Sequence, residues 1–285
     1  HSEDLVHWHF DGVPLVPDTA WDCHGVYTGS TVVEDDRLAV IYTGNVKVDG
    51  QHDFIHTGRE ANVIRIDRYP DGTWSPKRLL LSGQDYPSFC TRHVRDPKVW
   101  RQGHEWFMVT GARRQDDQGM VLLWRSDDGE QWHFKSVITS EKAFGYMWEC
   151  PDLFRLDGQW FLSFSPQGVA REENRRQNIY LSGYIPMKGG EDPCTAELDG
   201  DFVDWDYGFD FYAPQTFETR DGRRILFGWA GMADADAEYT VPTAAEGWQH
   251  MLTVPREVTL HEGRLRQNPV KELDAMRLKQ LPCTA

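Results

Sequence analysis

Two carboxylates sit in similar settings along this sequence. Asp96 falls in Arg95-Asp96-Pro97 and Glu149 in Glu149-Cys150-Pro151, each just ahead of a proline and an apolar stretch. Tyr27, Trp148 and Tyr212 stand beside them or at comparable points. Converging carboxyl groups with aromatic walls make the set that cleaves glycosidic bonds. One acid protonates the leaving oxygen, and a second carboxylate attacks, or activates water, against an oxocarbenium-like transition state. A Glu crowded by another carboxylate tends to keep its proton, whereas an Arg neighbour would hold Asp96 ionised. On these grounds Glu149 is the candidate acid and Asp96 its charged partner.

That chemistry requires the two residues to share a pocket, and a repeat supplies the means. Four segments share one form: a small residue or Pro, an apolar strand, a short polar turn, and a second apolar strand. They begin at Ser30, Pro97, Pro151 and Pro214, so they lie 67, 54 and 63 residues apart. Asp-Gly pairs at 71–72, 128–129, 157–158 and 221–222 supply tight-turn chemistry. About four strands per 60 residues describe a propeller blade, whose innermost strands converge on a central channel. The residues just before each anchor then face one cavity, with Asp96 and Glu149 in matching places on successive blades.

Four anchors leave residues over at both ends. The expected fold is all-β, a five-bladed β-propeller with its first blade incomplete in this chain. Residues 1–285 form the catalytic propeller domain, of which 1–26 are the outer strands left from the first blade and 270–285 follow the last. The alternative is a four-bladed ring with an irregular N-terminal arm.

Composition narrows the classes of function. In 285 residues, 40% are hydrophobic and 26% charged, which is globular. A formal charge of −15 argues against a nucleic-acid partner and an anionic membrane surface. Aromatic residues reach 13%, with 12 Trp, which suits strand-rich cores and sugar-binding walls alike. Five scattered cysteines, Cys23, Cys90, Cys150, Cys194 and Cys283, have no metal-ligand spacing and read as reduced thiols of a cytoplasmic protein. His52, His56 and His93 are dispersed, so neither metal nor organic cofactor is expected. Ser30 lacks the glycine frame of a nucleophile elbow and reads as structural. Arg171, Arg175 and Arg176 read as a solvated loop that could meet a phosphorylated sugar.

The blocks VRDPKVW (94–100) and MWECPDLF (147–154) resemble signature blocks of glycoside hydrolase family 32, which includes invertases and bacterial sucrose-6-phosphate hydrolases. SEDLVHW (2–8), VYTGSTVV (26–33), DFYAPQTF (210–217), ILFGWAGM (225–232), GWQHMLTVPRE (247–257) and RLRQNPVKEL (264–273) are similar to its other blocks. The resemblance implies a retaining β-fructofuranosidase acting on sucrose, sucrose 6-phosphate or short fructans. Glu149 would be the acid/base, and Asp96 would clamp fructosyl hydroxyls and stabilise the transition state. Arg95, Tyr27, Thr28, Tyr212 and Trp229 would line the fructose subsite, with Cys150 beside Glu149, tuning its acidity. The family's nucleophile is an Asp in an Asn-Asp-Pro-Asn-Gly block, and this sequence contains none; the resemblance also implies that 270–285 begin a linker toward a β-sandwich. The expectation is therefore a sugar-binding chain inactive by itself, the block lying upstream. The alternatives are a catalytically inactive carbohydrate-binding propeller and a fructosyltransferase.

Overall fold

The computed structural model describes residues 1–34, 36–234 and 241–279. Strands in the described part form four antiparallel sheets, each following the chain outward from an innermost strand. The first holds β1 (Val26–Glu34), β2 (Arg37–Lys47), β3 (Arg59–Arg68) and β4 (Arg78–Leu81). The second holds β5 (Cys90–Gln102), β6 (Glu105–Arg114), β7 (Gly119–Ser126) and β8 (His133–Ile138). The third holds β9 (Met147–Leu156), β10 (Gln159–Gln167) and β11 (Gly183–Lys188), with β12 (Glu197–Leu198) and β13 (Val203–Asp204) both on β11. The fourth holds β14 (Tyr212–Glu218), β15 (Arg224–Ala230), β17 (Arg256–His261) and β18 (Arg264–Pro269), with β16 (Met251–Leu252) on β15.

The anchors Ser30, Pro97, Pro151 and Pro214 all fall within innermost strands, some residues in from their starts. The two-residue link Asp157-Gly158 joins β9 to β10, with φ of 49° and 84°; positive φ at both central residues is what a type I′ hairpin turn requires.

Strand parity builds the core. A middle strand of a blade is covered on both faces, so it reads as a continuous apolar run, as β7 does in Gly-Met-Val-Leu-Leu-Trp. Alternate residues then serve opposite interfaces. Phe107, Val109, Val121 and Leu123 pack on the third blade with Trp148, Leu153, Leu162 and Phe164. Their chain neighbours Trp106, Met108, Met120 and Leu122 pack on the first blade with Ala39, Ile41 and Val63. Phe154, Phe161 and Tyr184 of the third blade meet Phe211, Leu226 and Val258 of the fourth.

Polar contacts seal the same seams. Ser30 Oγ donates to Pro97 O and accepts from Val99 N–H, both at 2.9 Å, which is the structural role read from its sequence context. Asp152, almost fully buried, accepts from the Thr216 N–H and hydroxyl at 2.7 Å each, and Lys98 Nζ lies 3.4 Å away.

The all-β propeller is present, but the described residues form four blades where five were expected. Residues 1–25 contain no strand, contrary to their reading as outer strands of a blade. A ladder needs a partner edge, and no strand of the four sheets pairs with this segment. Instead it runs as an arm from the fourth blade to the first. Trp8 meets Phe227 edge-on at 5.8 Å, and Leu15 covers Tyr42, Ile64 and Ile66 on the outer face of the first blade. Asp22, fully buried, accepts from Tyr42 OH at 2.8 Å and from Lys77 Nζ at 2.6 Å. After β18 a 3₁₀ turn, Lys271–Met276, follows; residues 280–285 of the expected linker, Cys283 among them, lie outside the described residues. No helix among the described residues is long and apolar enough to cross a membrane.

The seams make a prediction. Asp152→Ala removes both Thr216 bonds and leaves Lys98 without its buried counter-charge, so it should cost about 3 kcal/mol in urea unfolding. Ser30→Ala, which leaves no charge behind, should cost about 1 kcal/mol. Equal small losses from both would show that the charged seam does not hold the blades.

Candidate active site

The innermost strands share a distortion at one level. Pairing register slips between Tyr27 and Gly29 on β1, Arg95 and Lys98 on β5, and Tyr212 and Gln215 on β14. On the third blade it slips between Ser163 and Ser165, opposite Glu149 and Asp152. At three of these bulges a non-glycine residue takes the left-handed backbone just before proline: Asp96 (φ 63°), Cys150 (φ 48°) and Ala213 (φ 50°). Such geometry costs about 1–3 kcal/mol and re-aims side chains. It lets two consecutive residues, Arg95 and Asp96, face the same cavity, which the alternation of a regular strand forbids.

The cavity measures about 910 Å³ and sits over the starts of the four innermost strands. Its lining includes all eight residues singled out from the sequence: Tyr27, Thr28, Arg95, Asp96, Glu149, Cys150, Tyr212 and Trp229. Trp148, expected as a wall, is not among them. Its indole is buried in the core, stacked on Phe164 at 4.2 Å, with Nε1 donating to Phe144 O at 2.7 Å.

The register corrects one expectation. The positions matching Glu149 on neighbouring blades are Arg95 and Tyr212; Asp96 matches Cys150, one residue later. The three matched side chains form a line. Arg95 Nε and Nη2 donate to Glu149 Oε1 at 2.9 and 2.6 Å. Glu149 Oε2 accepts from Tyr212 OH and, at 2.8 Å, from Gln167 Nε2. Arg95 thus grips Glu149, not Asp96, whose Oδ2 is 3.9 Å from Arg95 Nε. Arg95 Nη1 lies 2.9 Å from His93 Nδ1, while His93 Nε2 sits 2.9 Å from Phe54 O. Burial, and then the cations Arg95 and Arg59, push the His93 imidazole down to about 3, so it is neutral and accepts from Arg95.

Asp96 is almost fully buried and its Oδ2 accepts from the Cys150 N–H at 2.9 Å, with Cys150 Sγ at 3.6 Å. Burial lifts its carboxyl to about 6; Arg95 opposes the rise, and the Glu149 charge adds to it. Arg95 favours the ionised form of Asp96, but desolvation outweighs the guanidinium and the net shift is upward. Cys150, expected beside Glu149, makes its hydrogen bonds to Asp96, and burial holds its thiol well above the usual range. Burial, and then the Glu149 charge, likewise hold the Tyr212 phenol up, so it donates.

Sequence reasoning missed Gln167, Arg59 and His93. Gln167 pairs with Met147, two residues from Glu149, only through the bulge between Ser163 and Ser165; counting outward from the Asp157-Gly158 turn would set it opposite Trp148. Arg59 and His93 reach the cavity from the start of β3 and from β5, and no motif marks them. Of the arginines proposed for a phosphate, Arg175 pairs with Asp204 and Arg176 with Glu172, so neither is available.

Residues 1–269 match the model of the glycosyl hydrolases family 32 N-terminal domain. The chain belongs to glycosyl hydrolase family 32. It is 41% identical over 282 residues to the sucrose-6-phosphate hydrolase of Bacillus subtilis, covering 97% of this chain and 56% of that one. It is 39% identical to the raffinose invertase of Escherichia coli, covering 99% of this chain and 57% of that protein. The chain thus spans little more than half the length of these family members. Among solved structures, the sucrose-6-phosphate hydrolase from Lactobacillus gasseri superposes with a TM-score of 0.86 at 27% identity, covering 97% of this chain and 55% of that one. A mutant of the Bombyx mori family 32 β-fructofuranosidase, solved in complex with sucrose, gives 0.75 at 34% identity, covering 89% and 52%.

The Asp96 environment predicts a pH-dependent stability. Its folded value of about 6 lies above the ordinary 3.8, so the folded state binds this proton more tightly than the unfolded chain. The stability it contributes is present below about pH 4 and lost as pH rises through about 6. Asp96→Asn should leave stability unchanged near about pH 4 and raise it by about 3 kcal/mol near about pH 7.5. Denaturant unfolding at both pH values checks this, and a gain of equal size at both would refute it.

Proposed function

We propose that the protein carrying this domain cleaves the β-fructofuranosidic bond of sucrose, its 6-phosphate or short fructans with retention of configuration. One observation carries the reading: Tyr212, Glu149 and Arg95 form a continuous hydrogen-bonded line, with Asp96 beside it, in a single cavity of a family 32 chain. Relatives bearing the names sucrose-6-phosphate hydrolase and raffinose invertase, and a neighbour solved with sucrose, support the substrate class. The protein that carries this domain is read as cytoplasmic, which agrees with the free Cys23, Cys90, Cys150 and Cys194.

Glu149 is the proposed acid/base. Four donor contacts from three residues converge on it, so at least one must turn to the sugar before Glu149 can carry a proton to the leaving oxygen. Tyr212 and Arg95 are suited to that exchange, since the hydroxyls of a bound fructosyl ring offer them new acceptors. Asp96 clamps fructosyl hydroxyls and, once ionised, stabilises positive charge on the ring. Its raised value keeps that charge from forming until the pH passes about 6. Tyr27, Thr28 and Trp229 wall the fructose subsite, and Cys150 fixes Asp96 by its backbone N–H.

We propose further that the ring is five-bladed in the protein that carries this domain, the remaining blade lying between the fourth and the first, where residues 1–25 run as an arm. Support comes from apolar side chains left bare on the first and fourth blades: Val33 is 75% and Phe217 42% exposed. The domain reading of residues 1–285, with a linker from 270, is kept as part of this proposal.

Residues 1–285 by themselves should bind sucrose without turning it over, because the sequence lacks the Asn-Asp-Pro-Asn-Gly block from which the family's nucleophile comes. Robust hydrolysis would make another carboxylate the nucleophile, Asp96 first among them. In a protein that joins this domain to that block, Glu149→Gln should slow sucrose turnover by about 10³-fold and spare the first step on fructosides with good leaving groups. Asp96→Asn should slow both kinds of substrate. Near-normal sucrose turnover by Glu149→Gln would end the acid assignment.

A further inference from the structure

Arginines in this fold are almost all spoken for. Among the described residues, those that are not exposed hold a carboxylate, an amide or a backbone carbonyl, with one exception. Arg95 holds Glu149, Arg65 holds Glu34 and Asp67, Arg78 holds Asp67 and Glu130, and Arg224 holds Glu218. Arg59 is the exception. Half-buried in the wall of the active-site cavity, its guanidinium makes no hydrogen bond and no ion pair with any described residue, and its Nε is sealed from solvent.

Position rules out a stray surface side chain. Arg59 is the first residue of β3 and follows Gly58, whose φ of 76° and close approach to the His52 ring leave no room for a side chain. The loop before it brings Asp53, Phe54 and Ile55 to the same cavity wall, and His93 ties that loop down through Phe54 O. Burial opposes the Arg59 charge, and Arg95 repels it further; the Glu149 charge offsets this only in part. A desolvated guanidinium without a counter-charge is costly, and a bound anion would remove the cost. The planar fork of arginine suits the paired oxygens of a phosphate better than a single neutral hydroxyl.

We propose that Arg59 reads a phosphate monoester on the sugar bound in this cavity, and so sets a preference for phosphorylated over neutral fructosides. The proposal rests on the fructoside reading of the cavity and assigns its specificity to one residue. Arg113, which lines the same wall, is occupied by Asp117 and lies over the Tyr146 ring, so it is not the candidate.

Titration calorimetry on residues 1–285 tests this, with sucrose 6-phosphate, sucrose and inorganic phosphate as probes. Sucrose 6-phosphate should bind at least about tenfold more tightly than sucrose, and added salt should shrink the advantage. Arg59→Gln should reduce that ratio to below about twofold, while Arg59→Lys, which keeps the charge but loses the fork, should retain part of it. Equal binding of the two sugars by the unaltered chain overturns the proposal and leaves the fructoside reading standing. So does an Arg59→Gln chain that keeps the full phosphate advantage. Inorganic phosphate binding as tightly as the sugar phosphate would also overturn it, by making the site one for free anions. Failure of both sugars to bind removes the fructoside reading and this proposal with it.

Discussion

Three consecutive blades place a left-handed residue in front of a proline on the innermost strand, and the rest of the site depends on that constraint. A regular strand sends neighbouring side chains to opposite faces. Here the bulge lets Arg95 and Asp96 look into the same cavity, and it brings Glu149 and the Cys150 amide together in the same way. Backbone strain of this kind persists only where packing on both sides fixes the strand. The cores between the blades and the seams at Ser30 and Asp152 provide that fixing.

The charges in the cavity follow from the same placement. Because Arg95 lies level with Glu149, its guanidinium spends its donors on that carboxylate and on His93. Asp96, one residue on, sits deeper with the Cys150 amide as its partner, and burial governs its protonation. Two carboxyl groups a few residues from matching points of a repeat thereby acquire opposite situations. One is surrounded by donors and the other is desolvated.

Much of this was legible in the sequence, for reasons that can be named. Repeat spacing and Asp-Gly turns revealed blades because hairpins leave a period in the chain. Seven of the eight cavity residues were legible because each lies within three residues of an anchor; Trp229 was legible only through the block ILFGWAGM. What escaped had no such marker. Which carboxylate Arg95 would choose depends on a one-residue slip in register, which the letters do not display. Arg59 arrives from a point remote from any anchor, and His93, four residues before Pro97, lies just outside the block that marks Arg95 and Asp96. Residues 1–25 read as outer strands because the repeat left them over ahead of the first anchor, but a strand is a relation between two segments. With no edge to join, they became an arm tying the fourth blade to the first. The fifth blade expected from the leftover residues is likewise not among the described sheets.

The division of each middle strand between two interfaces bears on how such a chain can change over time. In β6 and β7 odd-numbered residues serve one neighbouring blade and even-numbered residues the other. Exchanging one apolar side chain for another disturbs a single seam. Inserting or deleting one residue swaps the whole set, so that two interfaces fail together and the cavity above them loses its alignment. Length variation is therefore confined to the links between strands, such as the stretch from β3 to β4 or from β10 to β11, where added residues change neither parity. The loops over the cavity can grow, shrink and acquire new specificities, while the strands beneath them can be rewritten only letter for letter.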